Sequence, residues 1–314
     1  MLGPRRDVPL VVFMLVLVLV SCGPAHRVSS EQLDNAPRLA VMSAFEPELT
    51  QLLKIADVTA SYVMNGRTVH VGTLAGNDVV MTLSGISMTN AAMTTQVLLD
   101  HFDVTGIVFS GIAGGVNPDL YIGDVVVAAR WGQYQEQLAA RQTAGGWDLG
   151  WHSEEFGNFG MMFPQFVHIT RDDGRTDDTE SRFWFAVDEE MMSIAQRAAR
   201  SVDLDSCTSR NVCLSHDPKV VLGGNGVSGS TFVDNAEYRE WIWATFQADA
   251  VDMESAAVAH VAYVNGVPCI AFRSLSDLAG GGPGENELST FYDLAADNSA
   301  RVVIRFLELW AADH

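Results

Sequence analysis

Three acidic side chains stand where apolar runs give out. Glu48 follows Ala44-Phe45-Glu46-Pro47, Glu254 lies in Val251-Asp252-Met253-Glu254-Ser255-Ala256-Ala257, and Asp277 closes Arg273-Ser274-Leu275-Ser276-Asp277. Open α/β sheets build their sites at strand ends, and carboxylates shielded from water can carry protons to and from a substrate. Each acid singly also has an explanation without chemistry. A carboxylate in the first turn of a helix is favoured by the helix dipole, and an aspartate after a strand caps a turn. A glycine run, Gly111-Ile112-Ala113-Gly114-Gly115, comes straight off another apolar stretch and would let backbone approach a ligand closely. The eight histidines and four cysteines form no ligand spacing, so neither a metal nor another cofactor is expected.

The elements that must position these residues alternate along the chain. Strands are expected at 38–44, 68–74, 78–83, 104–110, 124–129, 219–222 and 268–273, the second and third turning at Gly76-Asn77. Helices are expected at 48–56, 88–102, 235–246, 254–265 and 288–311. That alternation implies an α/β fold, a three-layer α/β/α arrangement with a mixed central β-sheet covered on both faces. Asp277 then falls just past a strand, and the glycine run forms a loop. Between residues 130 and 187 the rhythm fails; the segment is rich in aromatics (Trp131, Tyr134, Trp147, Trp151, Phe156, Phe166 among them) and carries an acidic run at 172–180. Such a stretch is either a lid over a site or a second packed aromatic cluster.

With 314 residues, 48% of them hydrophobic, the chain can bury a large core. Its net charge of −20, with lysine only at positions 54 and 219, argues against nucleic acid as a partner. The first 22 residues stand apart: Arg5 and Arg6, an apolar run of about a dozen residues too short to span a bilayer, then Leu19-Val20-Ser21-Cys22. This is the pattern of a secretory signal, and its end resembles a bacterial lipobox in which Cys22 carries lipid. An ordinary cleaved signal or a short anchor are the other readings. Residues 23–37 read as a flexible tether, leaving 38–314 as one domain. The expected location is the periplasmic or cell-surface side of a membrane, held only by the lipid. There the closely spaced Cys207 and Cys213 can form a disulfide, and Cys269 reads as a buried hydrophobe.

In order along the chain, Ala44-Phe45-Glu46-Pro47-Glu48, Ser84-Gly85-Ile86, the glycine run, Gly123-Asp124-Val125-Val126-Val127, Ser228-Gly229-Ser230-Thr231-Phe232, Val251-Asp252-Met253-Glu254 and Arg273-Ser274-Leu275-Ser276-Asp277 form a constellation. It resembles the purine nucleoside phosphorylase/uridine phosphorylase superfamily, and within it the methylthioadenosine/S-adenosylhomocysteine nucleosidases. The resemblance implies that Asp277, supported by Ser276, is the general acid at the purine N7. It implies that Glu48, with Arg273 beside it, deprotonates the attacking water. Glu254 would bind the ribose hydroxyls with Met253 against the sugar, and Phe232 and the Val233 backbone would meet the base. Ala113 and Gly114 would border the ribose and water, and Phe45 would stand near the ribose. Breaking such a bond builds positive charge on the sugar and negative charge on the base, which an acid on one side and a carboxylate on the other relieve. Carboxylates in the first loop would repel phosphate, favouring water over phosphorolysis, with a non-catalytic nucleoside-binding or storage protein as the remaining class. Ile112, Phe45, the long loop Gly280-Gly281-Gly282-Pro283-Gly284 and the aromatic segment depart from the nucleosidase pattern. A homodimer in which a neighbour completes the site is also implied.

Overall fold

The computed structural model describes residues 32–170 and 179–314; the signal segment, Cys22 and residues 23–31 of the tether lie outside them. The first half contains β1 (Asp34–Ser43), α1 (Glu46–Ile55), β2 (Asp57–Met64), β3 (Arg67–Leu74), β4 (Asn77–Leu83), α2 (Met88–His101), β5 (Phe102–Gly115), β6 (Val125–Val127) and β7 (Arg130–Gln133). Short ribbons follow, β8 (Gln137–Ala139), β9 (Arg141–Thr143), β10 (Gly146–Asp148), β11 (Met162–Pro164), β12 (Val167–Thr170) and β13 (Thr179–Arg182). The chain ends with β14 (Trp184–Ala186), α3 (Glu189–Ala199), β15 (Val220–Leu222), β16 (Asn225–Ser228), α4 (Ala236–Phe246), β17 (Ala248–Asp252), α5 (Ser255–Asn265), β18 (Cys269–Asp277) and α6 (Leu288–Asp313).

The main sheet runs β14-β7-β16-β17-β5-β1-β4-β3-β2, with β18 lying along β5 and β6, and β15 along β6. It is mixed: β1 is parallel to β4 and β5, and β18 is parallel to β5, whereas β2, β3 and β4 form an antiparallel meander. Alternation along β1 divides the core. Ala40 and Met42 face α2 and α5 with Ile107, Phe109 and Ala271; Leu39 and Val41 face α1, α3 and α6 with Val108, Ile270 and Phe272. Strands covered on both faces must be apolar on both, and Ile107-Val108-Phe109 is fully buried. This is the three-layer arrangement the alternation implies.

Several boundaries move. β1 begins at Asp34, so residues 34–37 are strand and not tether. The glycine run is no loop: β5 continues through Gly115, pairing with β18 out to Gly114, because a neighbouring strand gives those amides partners. For the same reason β18 ends at Asp277 itself, not before it. β2, an edge strand with Val58 and Val63 exposed, and α3, whose buried Met191, Ile194, Ala195 and Ala198 have helical spacing, are additions to the expected elements.

The ends of the aromatic segment belong to the main sheet, since β7 pairs with both β14 and β16. Its middle is a packed cluster. Tyr134, Phe156 and Phe183 pack against Phe246 of α4 with ring centroids 6.2, 5.3 and 5.3 Å away. Such pairs add roughly 0.5–1.5 kcal/mol each beyond burial. None of its described residues lines the cavity under the strand ends, so among these it serves packing and not as a lid.

Candidate active site

Four junctions converge on one cavity of about 250 Å³: β1 into α1, the end of β5, β17 into α5, and the end of β18. Glu48, Asp252, Glu254, Asp277, Phe45, Met253, Phe232, Val233, Ser276, Ala113 and Gly114 all border it, with Ile86, Ile112, Val251 and Leu288 among the apolar walls. Every catalytic or substrate-binding residue expected from the sequence is therefore gathered there except Arg273, which is fully buried behind the wall.

Glu48 stands in the first turn of α1, held by three amides. Its Oε2 accepts from Ala44 N at 2.6 Å and Phe45 N at 3.2 Å, and its Oε1 from Ile112 N at 2.9 Å. Burial raises its pKa; Arg273 and those amides oppose the rise. The bland role and the chemical one coincide, because an acid that caps its own helix has one fixed orientation.

Arg273 organises the acids. Its Nε lies 2.8 Å from Asp252 Oδ2 and donates to Ser255 Oγ at 2.8 Å; Nη1 donates to Ile112 O at 3.2 Å and lies 3.7 Å from Glu48 Oε1; Nη2 is 3.5 Å from Glu254 Oε2. The guanidinium also sits 4.3 Å over the Phe109 ring. One cation cannot neutralise three carboxylates, and Glu254 yields: burial above all, with Asp252 and Glu48 adding, pushes it up to about 7 against the pull of Arg273. Glu254 Oε1 accepts from Ser87 N at 2.8 Å. Ser87 has φ 91° and ψ 155°, a conformation worth roughly 1–3 kcal/mol of strain in a residue other than glycine. That strain aims an amide at the acid.

Asp277 faces the cavity from the last position of β18. Its Oδ2 accepts from Ser276 Oγ at 2.9 Å, and its Oδ1 from Ala279 N at 2.9 Å and Asn286 Nδ2 at 3.5 Å. Burial raises its pKa, as an acid acting in the protonated form requires, and the three hydrogen bonds oppose the rise. Arg273 is engaged by the other acids, so it does not hold this carboxyl ionised.

Sequence reasoning gave no role to Asp252, Ser87 or Gly111. Asp252 also accepts from the hydroxyls of Ser228 and Ser255 and from Ser255 N at 3.2 Å, locking β16, β17 and α5 together. A Cβ on Gly111 would lie 2.2 Å from Arg273 Nη1 and 2.5 Å from Glu48 Oε1. Gly111 is required because the ion pair fills the space of its missing side chain. A Cβ on Gly114 would crowd more mildly, 3.1 Å from Ala279 Cβ and 3.2 Å from Asp277 Oδ1. Away from the cavity, Cys207 and Cys213 are joined in a disulfide and Cys269 is a buried thiol.

A family model described as the phosphorylase superfamily matches residues 38–308. The aminodeoxyfutalosine nucleosidase of Helicobacter pylori is 25% identical over 272 residues, covering 86% of this chain and 96% of that one. The 5'-methylthioadenosine/S-adenosylhomocysteine nucleosidase of Geobacillus kaustophilus is 27% identical over 274 residues, covering 87% and 97%. Among solved structures, the corresponding nucleosidase of Neisseria meningitidis, in complex with methylthio-immucillin-A, has a TM-score of 0.64 at 25% identity, covering 86% of this chain and 98% of that one. That of Colwellia psychrerythraea, in complex with adenine, has a TM-score of 0.64 at 27% identity, covering 87% and 95%.

Proposed function

The chain belongs to the phosphorylase superfamily, and we propose that within it this protein is a hydrolase of the N-glycosidic bond of purine nucleosides of the methylthioadenosine, S-adenosylhomocysteine or adenosine type. One observation carries water over phosphate. Among the described residues, Glu48, Asp252, Glu254 and Asp277 border the cavity and no cationic side chain does, while Arg273 behind it already serves three carboxylates. A phosphate dianion would meet like charge at ionised Glu48, where the nucleophile must sit; neutral water would not.

The step balances as follows. The C1'–N9 bond breaks with its electron pair going to the base, and protonated Asp277 delivers its proton to N7. The oxocarbenium-like sugar is attacked at C1' by a water whose proton passes to ionised Glu48, leaving free base and a ribose derivative. Glu254 hydrogen-bonds the ribose hydroxyls, Met253 and Phe45 pack against the sugar, and Phe232 and the Val233 backbone border the base. Ala113 and Gly114 present backbone to ribose and water. Arg273 acts through Glu48 and is a positioning residue. The test is a nucleoside panel assayed without phosphate. Free base and ribose derivative are expected, whereas ribose-1-phosphate formed only with phosphate present would overturn the assignment.

The same reading includes export and assembly. The signal-like residues 1–22 and the Cys207–Cys213 disulfide support a lipoprotein anchored through Cys22 outside the cytoplasm. Ile86 and Phe232, apolar yet 53% and 52% exposed at the cavity rim, support a homodimer in which a second copy covers that rim. Radiolabelled lipid incorporation lost in Cys22→Ala, and sedimentation of the chain lacking residues 1–22, test the two.

A further inference from the structure

The loop leading into α6 carries a side chain with no role so far. Asn286 Nδ2 donates to Asp234 Oδ1 at 3.0 Å and to Asp277 Oδ1 at 3.5 Å, while its Oδ1 accepts from Leu288 N at 2.9 Å. Only this orientation of the amide is satisfiable, because a flip would point its carbonyl at two carboxylates. The contact has three consequences. Oδ1 of Asp277 already accepts from Ala279 N, so with Asn286 it holds two N–H donors and has no room for a proton. The acidic proton is confined to Oδ2. Asp234 directly follows Val233 of the base wall, and Asn235 N donates to Ala279 O at 3.1 Å, so the base-side loop and the acid's loop are tied at two places. The tie also fixes Leu288, part of the cavity wall.

We propose that Asn286 is a positioning residue for catalysis: it fixes the proton of Asp277 on Oδ2 and couples the Thr231–Asp234 side of the pocket to the aim of the acid. This rests on Asp277 being the general acid. The charged groups around Asp277 are Glu287 of its own loop, Asp234 across Asn286, Glu48, Asp252 and Glu254 on the shared cavity, and Arg239 of α4. Arg239 donates to Gly115 O at 2.9 Å and packs on Gly281. Glu287 favours the protonated acid, whereas Asn286 favours the carboxylate.

The experiment is the pH profile of kcat/KM, without phosphate, for the wild type, Asn286→Ala, Asn286→Gln and Asp277→Asn. Removing a donor to the carboxylate raises the acid's pKa, so in Asn286→Ala the alkaline limb moves up by about one pH unit. Below the limb kcat/KM falls roughly tenfold as aim is lost, with most of the fall in kcat. Asn286→Gln, keeping the amide, returns the limb toward wild type. A variant merely loosened in structure would lose rate with the limb unmoved, and that result overturns the proposal. An active Asp277→Asn would overturn the general-acid assignment and this inference together; an inactive one beside an unmoved Asn286→Ala limb overturns this inference alone.

Discussion

Replacing Arg273 by Met tests the arrangement at its centre. The guanidinium is fully buried, within 2.8, 3.5 and 3.7 Å of Asp252, Glu254 and Glu48. Met roughly preserves the volume over Phe109 and removes the charge. Deleting one partner of a buried ion pair costs about 3–5 kcal/mol, because the others stay buried without compensation. Part of that loss is relieved by protonating Glu254 and Glu48. The sign of the activity effect follows: Glu48 must be ionised to take the water's proton, and losing its cation raises its pKa further. The acidic limb of kcat/KM therefore moves upward by about one unit or more, so the variant loses rate at a pH where the wild type still works. Urea unfolding at about pH 7 and at about pH 5.5, beside the phosphate-free pH profile, reads both effects, with the stability deficit smaller at the lower pH. A variant of wild-type stability with an unmoved acidic limb would refute the claim that Arg273 keeps Glu48 ionised.

Gly111→Ala places a methyl inside the Arg273–Glu48 contact; turnover is expected to fall at least about 100-fold, as when reacting groups are misplaced by roughly an ångström, and wild-type kcat would show that the pair can relax. Glu254, raised to about 7 from an ordinary 4.5, contributes stability that is complete below about pH 4.5 and fades as pH rises through 7. Thermal melts across that range should fall with pH, and Glu254→Gln should flatten the fall. The Cys207–Cys213 bridge closes a short loop and is worth about 2 kcal/mol by loop entropy. Reductant or the double Ser variant should lower unfolding free energy by that amount, with no change in kcat because the bridge lies away from the cavity.

Much of this molecule was written in its linear order. Patterns of period two and 3.6 marked most strands and helices, and Glu48, Glu254 and Asp277 stood out because side chains at strand ends have nowhere to go but the rim of the sheet. Pairing partners lay beyond local pattern. Gly111–Gly115 and Ser274–Asp277 look like loops until β5 and β18 are laid side by side and their amides bond each other. The aromatic segment could have been lid or filler, and only its packing on Phe246 decided. Protonation was likewise a tertiary matter. Residue types name three carboxylates and one arginine, but the distances around Arg273 determine which acids it restrains, and its absence from Asp277 leaves burial to raise that carboxyl's pKa against its three hydrogen bonds. Composition supplies the charges; long-range contact sets the field each one feels.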